Sequence, residues 1–165
     1  MSLERLWAGW RSSYITSATA PAETDGDCVF CGILAADLPD DETYVVWRGE
    51  LAVALLNAYP YTSGHVMVMP RRHVGALGEL TREESDELWA LTQRAVKALE
   101  SAYQPQGINL GANLGEAAGA GIPGHLHLHA VPRWAGDTNF MTTVAEARVL
   151  PEPLGDTWRK LRDVW

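Results

Sequence analysis

Three histidines at alternate positions, His125, His127 and His129, are the residues of this sequence with the clearest capacity for chemistry. In an extended strand alternate side chains share one face, so the three imidazoles would line one face while Leu126 and Leu128 lie on the other. Histidine titrates nearest neutral pH and can act as a metal ligand, a nucleophile or a hydrogen-bond donor. We therefore interpret the segment as a catalytic strand, the alternative being the polar face of a half-buried strand.

Two cysteines, Cys28 and Cys31, have the Cys-x-x-Cys spacing that allows two thiolates to bind one tetrahedral metal ion. Such a site needs two more ligands, and the natural candidates are His73, just after a predicted strand, and His125. Four protein ligands leave no open position, so we expect a structural zinc site. The alternatives are another divalent ion such as iron, or a redox pair, although no predicted strand precedes Cys28 as a thioredoxin-like motif requires.

The central histidine, His127, is the candidate nucleophile, because a neutral imidazole can displace a phosphoanhydride leaving group and form a phosphoramidate intermediate. A glycine-rich stretch over 113–121 precedes the triad, and its small residues would let backbone amides approach phosphate oxygens. Asn113 adds a side-chain amide, and Gly119 and Gly121 are candidate substrate contacts. The alternative interpretation of this stretch is a plain flexible connection.

The composition limits the classes of function. The 165-residue chain has 13 lysines and arginines against 21 aspartates and glutamates, a net charge of −8, which argues against a surface for nucleic-acid polymers. No apolar run approaches the roughly 20 residues that cross a bilayer, and the N-terminus lacks a signal-peptide core. We predict a cytoplasmic protein that binds no membrane and holds any polyphosphate ligand through local contacts.

Apolar periodicity predicts the strands that must position these residues. Alternating residues indicate a hairpin over 43–47 and 51–56, and a third strand over 65–69. Fourth and fifth strands are predicted over 108–113 and 125–131. Together they predict a five-stranded antiparallel sheet.

Helices are predicted beside this sheet. A capping box at Thr81–Glu84 marks the start of a long helix that runs to about Tyr103, with an apolar stripe suited to lie on a sheet. Short helices are predicted at the ends, a docking helix over 3–14 that is followed by a connector, and a closing helix within 151–165. The fold class is therefore α+β.

The sequence resembles the histidine triad (HIT) family, whose members transfer or hydrolyse nucleotidyl groups. The residues that match the family's motifs in order are Cys28-Val29-Phe30-Cys31, Asn57 before Gly64-His65, Pro70-Arg71-Arg72-His73, Asn113-Leu114-Gly115 and His125-Leu126-His127-Leu128-His129-Ala130-Val131. The resemblance implies one HIT-like domain over 1–165. Its parts are an N-terminal docking segment and connector over 1–26, the family core over 27–135, and a C-terminal extension over 136–165.

The resemblance also implies roles for single residues. His127 would be the nucleophile, His129 the phosphate contact, and Asn57 a ribose ligand, with a turn-forming role as the alternative for Asn57. His65 matches a Gly-His pair of the family, and we expect a structural role for it. The residues that correspond to the ligands of the zinc-bearing members are Cys28, Cys31, His73 and His125.

Two segments indicate the branch of the family. Leu6–Arg11 and Val131–Phe140 resemble the bacterial diadenosine tetraphosphate phosphorylases, which cleave with phosphate. Many hydrolytic members carry glutamine where this chain has Gly121, and Gly121 also lacks a hydroxyl that could hold inorganic phosphate. Arg133 and the loop amides are candidates for that contact, the alternative for Arg133 being a solvated charge. Trp134 would stack on a base or seal a dimer surface.

The expected reaction is attack of His127 on the α-phosphorus of an AMP-containing substrate such as a dinucleoside polyphosphate. The adenylyl-histidine would then transfer its nucleotide to inorganic phosphate or water. Phosphorolysis of diadenosine tetraphosphate to ATP and ADP is the leading interpretation. The alternatives are a hydrolase of dinucleoside polyphosphates or nucleoside phosphoramidates, and a nucleotide-binding regulator. Magnesium bound with the nucleotide could assist the leaving group, and the family resemblance implies a homodimer.

Overall fold

The computed structural model of the protein describes residues 28–138 and 150–165, with a five-stranded antiparallel sheet in the order β1-β2-β3-β5-β4. The strands are β1 Val45–Arg48, β2 Ala52–Leu56, β3 Val66–Pro70, β4 Gly107–Ala112 and β5 Leu128–Arg133. The α-helices are α1 Val29–Ala35, α2 Asp40–Thr43, α3 Arg82–Tyr103 and α4 Leu154–Val164. The predicted fold class is thereby confirmed, while the docking helix predicted over 3–14 lies outside the described residues. No helix in the described part of the chain is long and apolar enough to cross a membrane.

Two strand boundaries differ from the prediction. Thr43 does not begin the first strand but ends α2, and the left-handed φ of +55° at Tyr44 separates that helix from β1. The fifth strand begins at Leu128 rather than at His125. Extending the β3–β5 register would place Leu126 opposite Pro70, which has no N–H to donate to the ladder, so regular pairing ends there. The Leu126 N–H instead donates to the Val74 carbonyl, at 2.7 Å.

The sheet register places the long helix and the histidines on opposite faces. Met67 pairs with His129, so these two side chains share one face, while Val68 and Leu128 face the other way. The face of Leu128 packs under α3 around Leu99, and the face of Met67 packs against α1 through Phe30. The alternation predicted for the triad therefore holds, although only its last histidine lies in the strand itself.

The long helix α3 begins at the predicted capping box. The Thr81 hydroxyl accepts the Glu84 backbone N–H at 3.2 Å, and the Glu84 carboxylate accepts the Thr81 N–H at 2.9 Å. The two free amides of the helix start are thus satisfied reciprocally. Its predicted apolar stripe is buried at four of five positions, Leu88, Leu91, Ala95 and Leu99, with Ala102 half-buried.

The same Glu84 carboxylate also binds Arg72, which follows β3. The Arg72 Nε and Nη2 atoms each lie 2.8 Å from a Glu84 oxygen, a bidentate ion pair that joins the end of β3 to the start of α3. Hydrogen bonds from Arg72 and from the Thr81 backbone lower the pKa of Glu84 to about 2. The carboxylate therefore stays ionised in the folded protein well below its usual pKa.

We expect Glu84→Gln to lower the free energy of unfolding by about 1 kcal/mol at pH 7, the cost of a weakened cap and ion pair. Because the folded-state pKa of Glu84 is depressed, its stabilisation is complete above about pH 4.5 and is lost as the pH falls towards 2. Urea unfolding of the unmodified protein and of Glu84→Gln measures this effect. The difference between their free energies of unfolding should decrease as the pH is lowered through this range. Glu83→Gln, in the same helical turn but exposed, is the control, and a difference that is constant with pH would contradict the assignment.

Candidate metal centre and active site

Four potential metal ligands from three parts of the chain meet where β3 ends. Cys28 and Cys31 lie at the start of α1, His73 follows β3, and His125 precedes β5, with all four donor atoms within 4.8 Å of one another. Cys31 Sγ lies 3.3 Å from His73 Nδ1 and 3.6 Å from His125 Nδ1, and Cys28 Sγ lies 3.4 Å from His125 Nδ1. Tetrahedral zinc would hold sulfur and nitrogen ligands about 3.5 Å apart. The four predicted ligands could therefore hold a metal ion.

The orientation of His125 supports the same conclusion. Its Nε2 lies 2.8 Å from the Pro70 carbonyl, which can only accept, so Nε2 carries the ring proton. Nδ1 is then the unprotonated nitrogen, and it faces the two cysteines. Metal-ligating histidines commonly donate their other nitrogen to a carbonyl in this way. His125 is fully buried, so the tautomer is set by these contacts.

His127 is oriented by the backbone of its neighbour in the triad. Its Nδ1 lies 2.8 Å from the His125 carbonyl, so Nδ1 carries the proton and Nε2 has a free lone pair. Burial lowers the pKa of His127, which favours the neutral ring, and the edge of Phe30 packs against that ring with centroids 5.2 Å apart. A neutral imidazole in one fixed tautomer has the form that nucleophilic attack requires.

His129 receives the opposite tautomer through a chain of hydrogen bonds. The Tyr61 backbone N–H donates to His65 Nδ1 at 3.1 Å, so the His65 proton lies on Nε2, which donates to His129 Nδ1 at 2.9 Å. His129 Nε2 then carries a proton, and this buried atom has no hydrogen-bond partner among the described residues. Burial and the neighbouring His127 lower the pKa of His129 to about 4, so its ring is neutral at pH 7.

His65, which we predicted to be a structural, hydrogen-bonded residue at a strand start, immediately precedes β3 and contacts His129 directly. This contact sets which nitrogen of the His129 ring bears hydrogen. The spacing of His65 and Met67 indicates only that they share one face of a strand. The structure adds that Met67 pairs with His129, which places His65 near that residue.

A cavity of about 1020 Å³ opens beside His129. Its wall includes three predicted substrate contacts, His129, Asn113 and Trp134, together with Tyr61, whose ring stacks on His129 with centroids 5.9 Å apart. A volume of this size is at the upper end of the range for small-molecule sites. Three other predicted contacts, Asn57, Gly119 and Gly121, are not part of this wall.

Asn57 and the glycine-rich loop have clear local roles. Asn57 Oδ1 accepts the Tyr59 N–H at 2.9 Å, which is the turn predicted as its alternative role, and its Nδ2 lies 3.4 Å from His65 Nδ1. In the loop, Asn113 Nδ2 donates to the Gly119 carbonyl at 3.3 Å, and Gly119 has a left-handed φ of +90° that only glycine adopts readily. These contacts fix the loop that precedes the triad.

Arg133 and Trp134 end the strand that carries His129. Arg133 Nε and Nη2 bind both oxygens of Asp137, at 2.5 and 2.8 Å, and Nη1 donates to Asn109 at 2.8 Å. Arg133 is thus ion-paired while its side chain stays 43% exposed, and three of its five N–H groups are already used in these contacts. The edge of Trp134 packs against Tyr103, with ring centroids 6.2 Å apart.

Comparison with known proteins agrees with this geometry. The family model described as the HIT domain matches residues 39–136. The chain is 42% identical to the "AP-4-A phosphorylase" of Mycobacterium tuberculosis strain H37Rv over 99% of its own length and 85% of that protein. It is 35% identical to a bis(5'-adenosyl)-triphosphatase of Dictyostelium discoideum, over 56% of this chain and 61% of that one. A zinc-bound histidine triad family protein of Mycobacterium smegmatis has a similar structure, with a TM-score of 0.68, 30% identity, and coverage of 86% of this chain and 94% of that one.

We expect Cys28→Ser to lose bound metal and to unfold at a lower temperature, because it removes a buried sulfur ligand from the four-ligand cluster. Elemental analysis of the purified protein, paired with thermal unfolding, measures both effects. Val53→Ala is the matched control, because Val53 packs in the same hydrophobic cluster as Cys28 without belonging to the ligand set. The control should lose stability and keep its metal, and unchanged metal content in Cys28→Ser would exclude Cys28 as a ligand.

Proposed function

The chain belongs to the HIT domain family, and from this premise we propose that it is a nucleotidyl-transferring enzyme whose leading reaction is the phosphorolysis of diadenosine tetraphosphate to ATP and ADP. The observation that carries the proposal is the pair of opposite tautomers at His127 and His129, whose ring centroids lie 4.9 Å apart, so that neighbouring rings offer a lone pair and an N–H donor. The choice of substrate is supported by the relative named AP-4-A phosphorylase, which aligns with nearly the whole chain.

In the first step His127 Nε2 attacks the α-phosphorus of the dinucleotide. The N–P bond forms, the bond from the α-phosphorus to its bridging oxygen breaks, and the electron pair of that bond leaves on ATP. The ring becomes cationic, and its Nδ1–H stays hydrogen-bonded to the His125 carbonyl, which favours the positive charge. His129 Nε2–H donates to an oxygen at the reacting phosphate, where negative charge develops.

In the second step an oxygen of inorganic phosphate attacks the same phosphorus. The P–O bond forms, the P–N bond breaks, and its electron pair returns to Nε2, so His127 regains its starting tautomer and ADP leaves. The proton of hydrogen phosphate departs with ADP or passes to solvent. Water in place of phosphate would give AMP, which is the hydrolase alternative.

We propose that the metal is zinc, bound by Cys28, Cys31, His73 and His125, and that its role is structural. A closed site of four protein ligands leaves no position for substrate. When bound, zinc supplies a cross-link that fixes His125, and the carbonyl of His125 orients His127. Cysteines that serve as metal ligands fit a reducing cytoplasm, where we propose that the protein acts.

We propose further contacts between the protein and its nucleotide substrate. Asn113 and Trp134 share the cavity wall with His129, which supports contacts to the nucleotide. Backbone amides of the loop that Asn113 closes would bind phosphate oxygens. The remaining proposed contacts are Asn57 for ribose, and Gly119 and Gly121 for phosphate. Magnesium would enter with the polyphosphate, and we assign it no protein ligand.

We also propose a homodimer formed through β4. Both edges of an open sheet expose unpaired backbone groups, yet the β1 edge is covered by α4, where Trp158 donates to the Val45 carbonyl and Arg162 to the Val46 carbonyl, each at 2.8 Å. The β4 edge has no such cover among the described residues. Its exposed Leu110 shares a shallow cavity with Trp89 of α3, which adds an apolar patch beside the open edge.

We expect Leu110→Glu to convert a dimer into a monomer, because each interface would carry two buried like charges. The mass measured by light scattering after size-exclusion chromatography should fall from that of two 18.1 kDa chains to that of one. Leu77→Glu, at an exposed leucine in the connection between β3 and α3, is the control and should stay dimeric. A monomeric unmodified protein, or a dimeric Leu110→Glu variant, would refute the β4 interface.

Product analysis tests the reaction. Diadenosine tetraphosphate should yield ATP and ADP only when inorganic phosphate is present, as resolved by chromatography. ATP and AMP without phosphate would establish the hydrolase instead. If diadenosine tetraphosphate gives no product, the result favours another nucleotide conjugate as substrate, or a nucleotide-binding regulator instead of an enzyme.

His127→Asn is the matched variant in this experiment. It should abolish turnover and the mass increase of one adenylyl group that rapid quenching detects on the unmodified protein, while metal content and thermal unfolding stay the same. Retained turnover in this variant would contradict the nucleophile assignment. If the unmodified protein and His127→Asn both bind nucleotide and neither turns it over, the protein is a nucleotide-binding regulator.

A further inference from the structure

Tyr61 lies in the connection between β2 and β3 and contacts two histidines of the site. Its backbone N–H donates to His65 Nδ1 at 3.1 Å, and its ring packs against that of His65 with centroids 4.5 Å apart. The same ring is stacked on His129, with centroids 5.9 Å apart and planes 23° from parallel. One residue therefore contacts both members of the hydrogen bond from His65 Nε2 to His129 Nδ1.

The three rings differ in their exposure to solvent. Tyr61 is 45% exposed, whereas His65 is fully buried and His129 is half-buried with its Nε2 atom inaccessible. On the two neighbouring strands, Met67 and Gly111 pair with His129, and neither carries an ionisable side chain. The Tyr61 ring is thus an outer layer between water and the hydrogen bond of the two histidines.

Few groups near His129 can change its charge. The titratable side chains whose rings contact it are His127, His65 and Tyr61. The ion pair of Arg133 with Asp137 lies further along the cavity wall, and Arg133 is four residues from His129, about 13 Å along the strand. The state of His129 therefore depends mainly on burial and on the neighbouring rings.

A second proton on His129 would disturb the site in two ways. Nδ1 would become a donor, so two N–H groups would face each other where His65 now donates to a lone pair. The new charge would also lie in a ring 4.9 Å from that of His127, which becomes cationic in the proposed first step. The reaction thus requires a neutral His129.

Building on the proposed function, we propose that Tyr61 is a positioning residue whose ring keeps water from the hydrogen bond between His65 and His129 and so holds His129 as a neutral Nε2–H donor. Burial is the largest cause of the lowered pKa of His129, and the stacked ring supplies part of that burial. The role belongs to the ring face of Tyr61 and not to its hydroxyl. Tyr61 acts through His129 and takes no part in bond breaking.

An NMR titration of the histidine rings tests this role without any nucleotide. In Tyr61→Ala the pKa of His129 should rise from about 4 towards its ordinary value of 6.5, because water then solvates the charged ring. Tyr61→Phe keeps the ring and should leave that pKa unchanged. The signals of His129 are identified by their loss in His129→Asn. An unchanged pKa in Tyr61→Ala would overturn the proposal.

The pH profile of kcat tests the consequence for turnover. If the pKa of His129 reaches about 6 in Tyr61→Ala, about one tenth of these rings stay neutral at pH 5, and kcat there should be about tenfold below that of the unmodified protein. At pH 8 His129 is neutral in both proteins, so their kcat values should agree. A loss of equal size at both pH values would indicate a merely structural effect. A change confined to KM would indicate a substrate contact, and either result contradicts the positioning role.

Tyr59 provides the matched control in the same connection. It is 87% exposed, so its side chain is not part of the layer over the histidines, and its contact with Asn57 is made by the backbone N–H. Tyr59→Ala removes the same side chain as Tyr61→Ala and should leave the pKa of His129 unchanged. An equal rise of that pKa in both variants would show that the effect is not specific to Tyr61.

The two measurements also separate this proposal from the proposed function. The titration involves no substrate, so a raised pKa in Tyr61→Ala would stand even if diadenosine tetraphosphate proved not to be a substrate. Conversely, phosphorolysis by the unmodified protein would not support the role of Tyr61 if the pKa of His129 were the same in both proteins.

Discussion

The geometry of the site depends on the hydrogen bond between His125 and the Pro70 carbonyl. Proline at this position ends the β3–β5 ladder, because it offers no N–H to the next residue pair. Its carbonyl accepts the Nε2 proton of His125 instead, which turns the unprotonated Nδ1 towards the two cysteines. The end of the ladder at Pro70 therefore leaves available the carbonyl that sets the tautomer of His125.

The orientation of His125 also determines that of His127, because the ring and the carbonyl of His125 belong to one residue. The ring of His125 faces the thiols while its carbonyl accepts the Nδ1 proton of His127. A disturbance of the cluster would therefore move the group that sets the His127 tautomer. A second chain, from the Tyr61 backbone through His65, gives His129 the opposite tautomer. Neighbouring histidines on one sheet face acquire different chemistry because their partners differ.

Periodicity and motif spacing sufficed to predict the sheet, the capping box of α3, the apolar stripe and the four ligands that could hold a metal. The strands, the capping box and the apolar stripe follow from residue patterns that are local in the sequence. The ligand set follows from the residue types that bind metal ions. The early end of the ladder was not predicted, since it depends on the β3–β5 register that sets Leu126 opposite Pro70. The contact of His65 with His129, and the pairing of Arg133 with Asp137, likewise depend on which strands become neighbours. Spacing alone does not specify such tertiary partners.

The C-terminal helix α4 contributes to two separate parts of the structure. Its Trp158 and Arg162 donate to carbonyls of β1, so one edge of the sheet is closed and β4 is the edge left without cover among the described residues. Its Lys160 and Thr157 bind Glu152 and so build the wall of the cavity beside β5. Because Leu161 is fully buried against the core, these contacts form together when the helix docks. A change that loosens this docking should therefore uncover the β1 edge and alter the cavity wall at the same time.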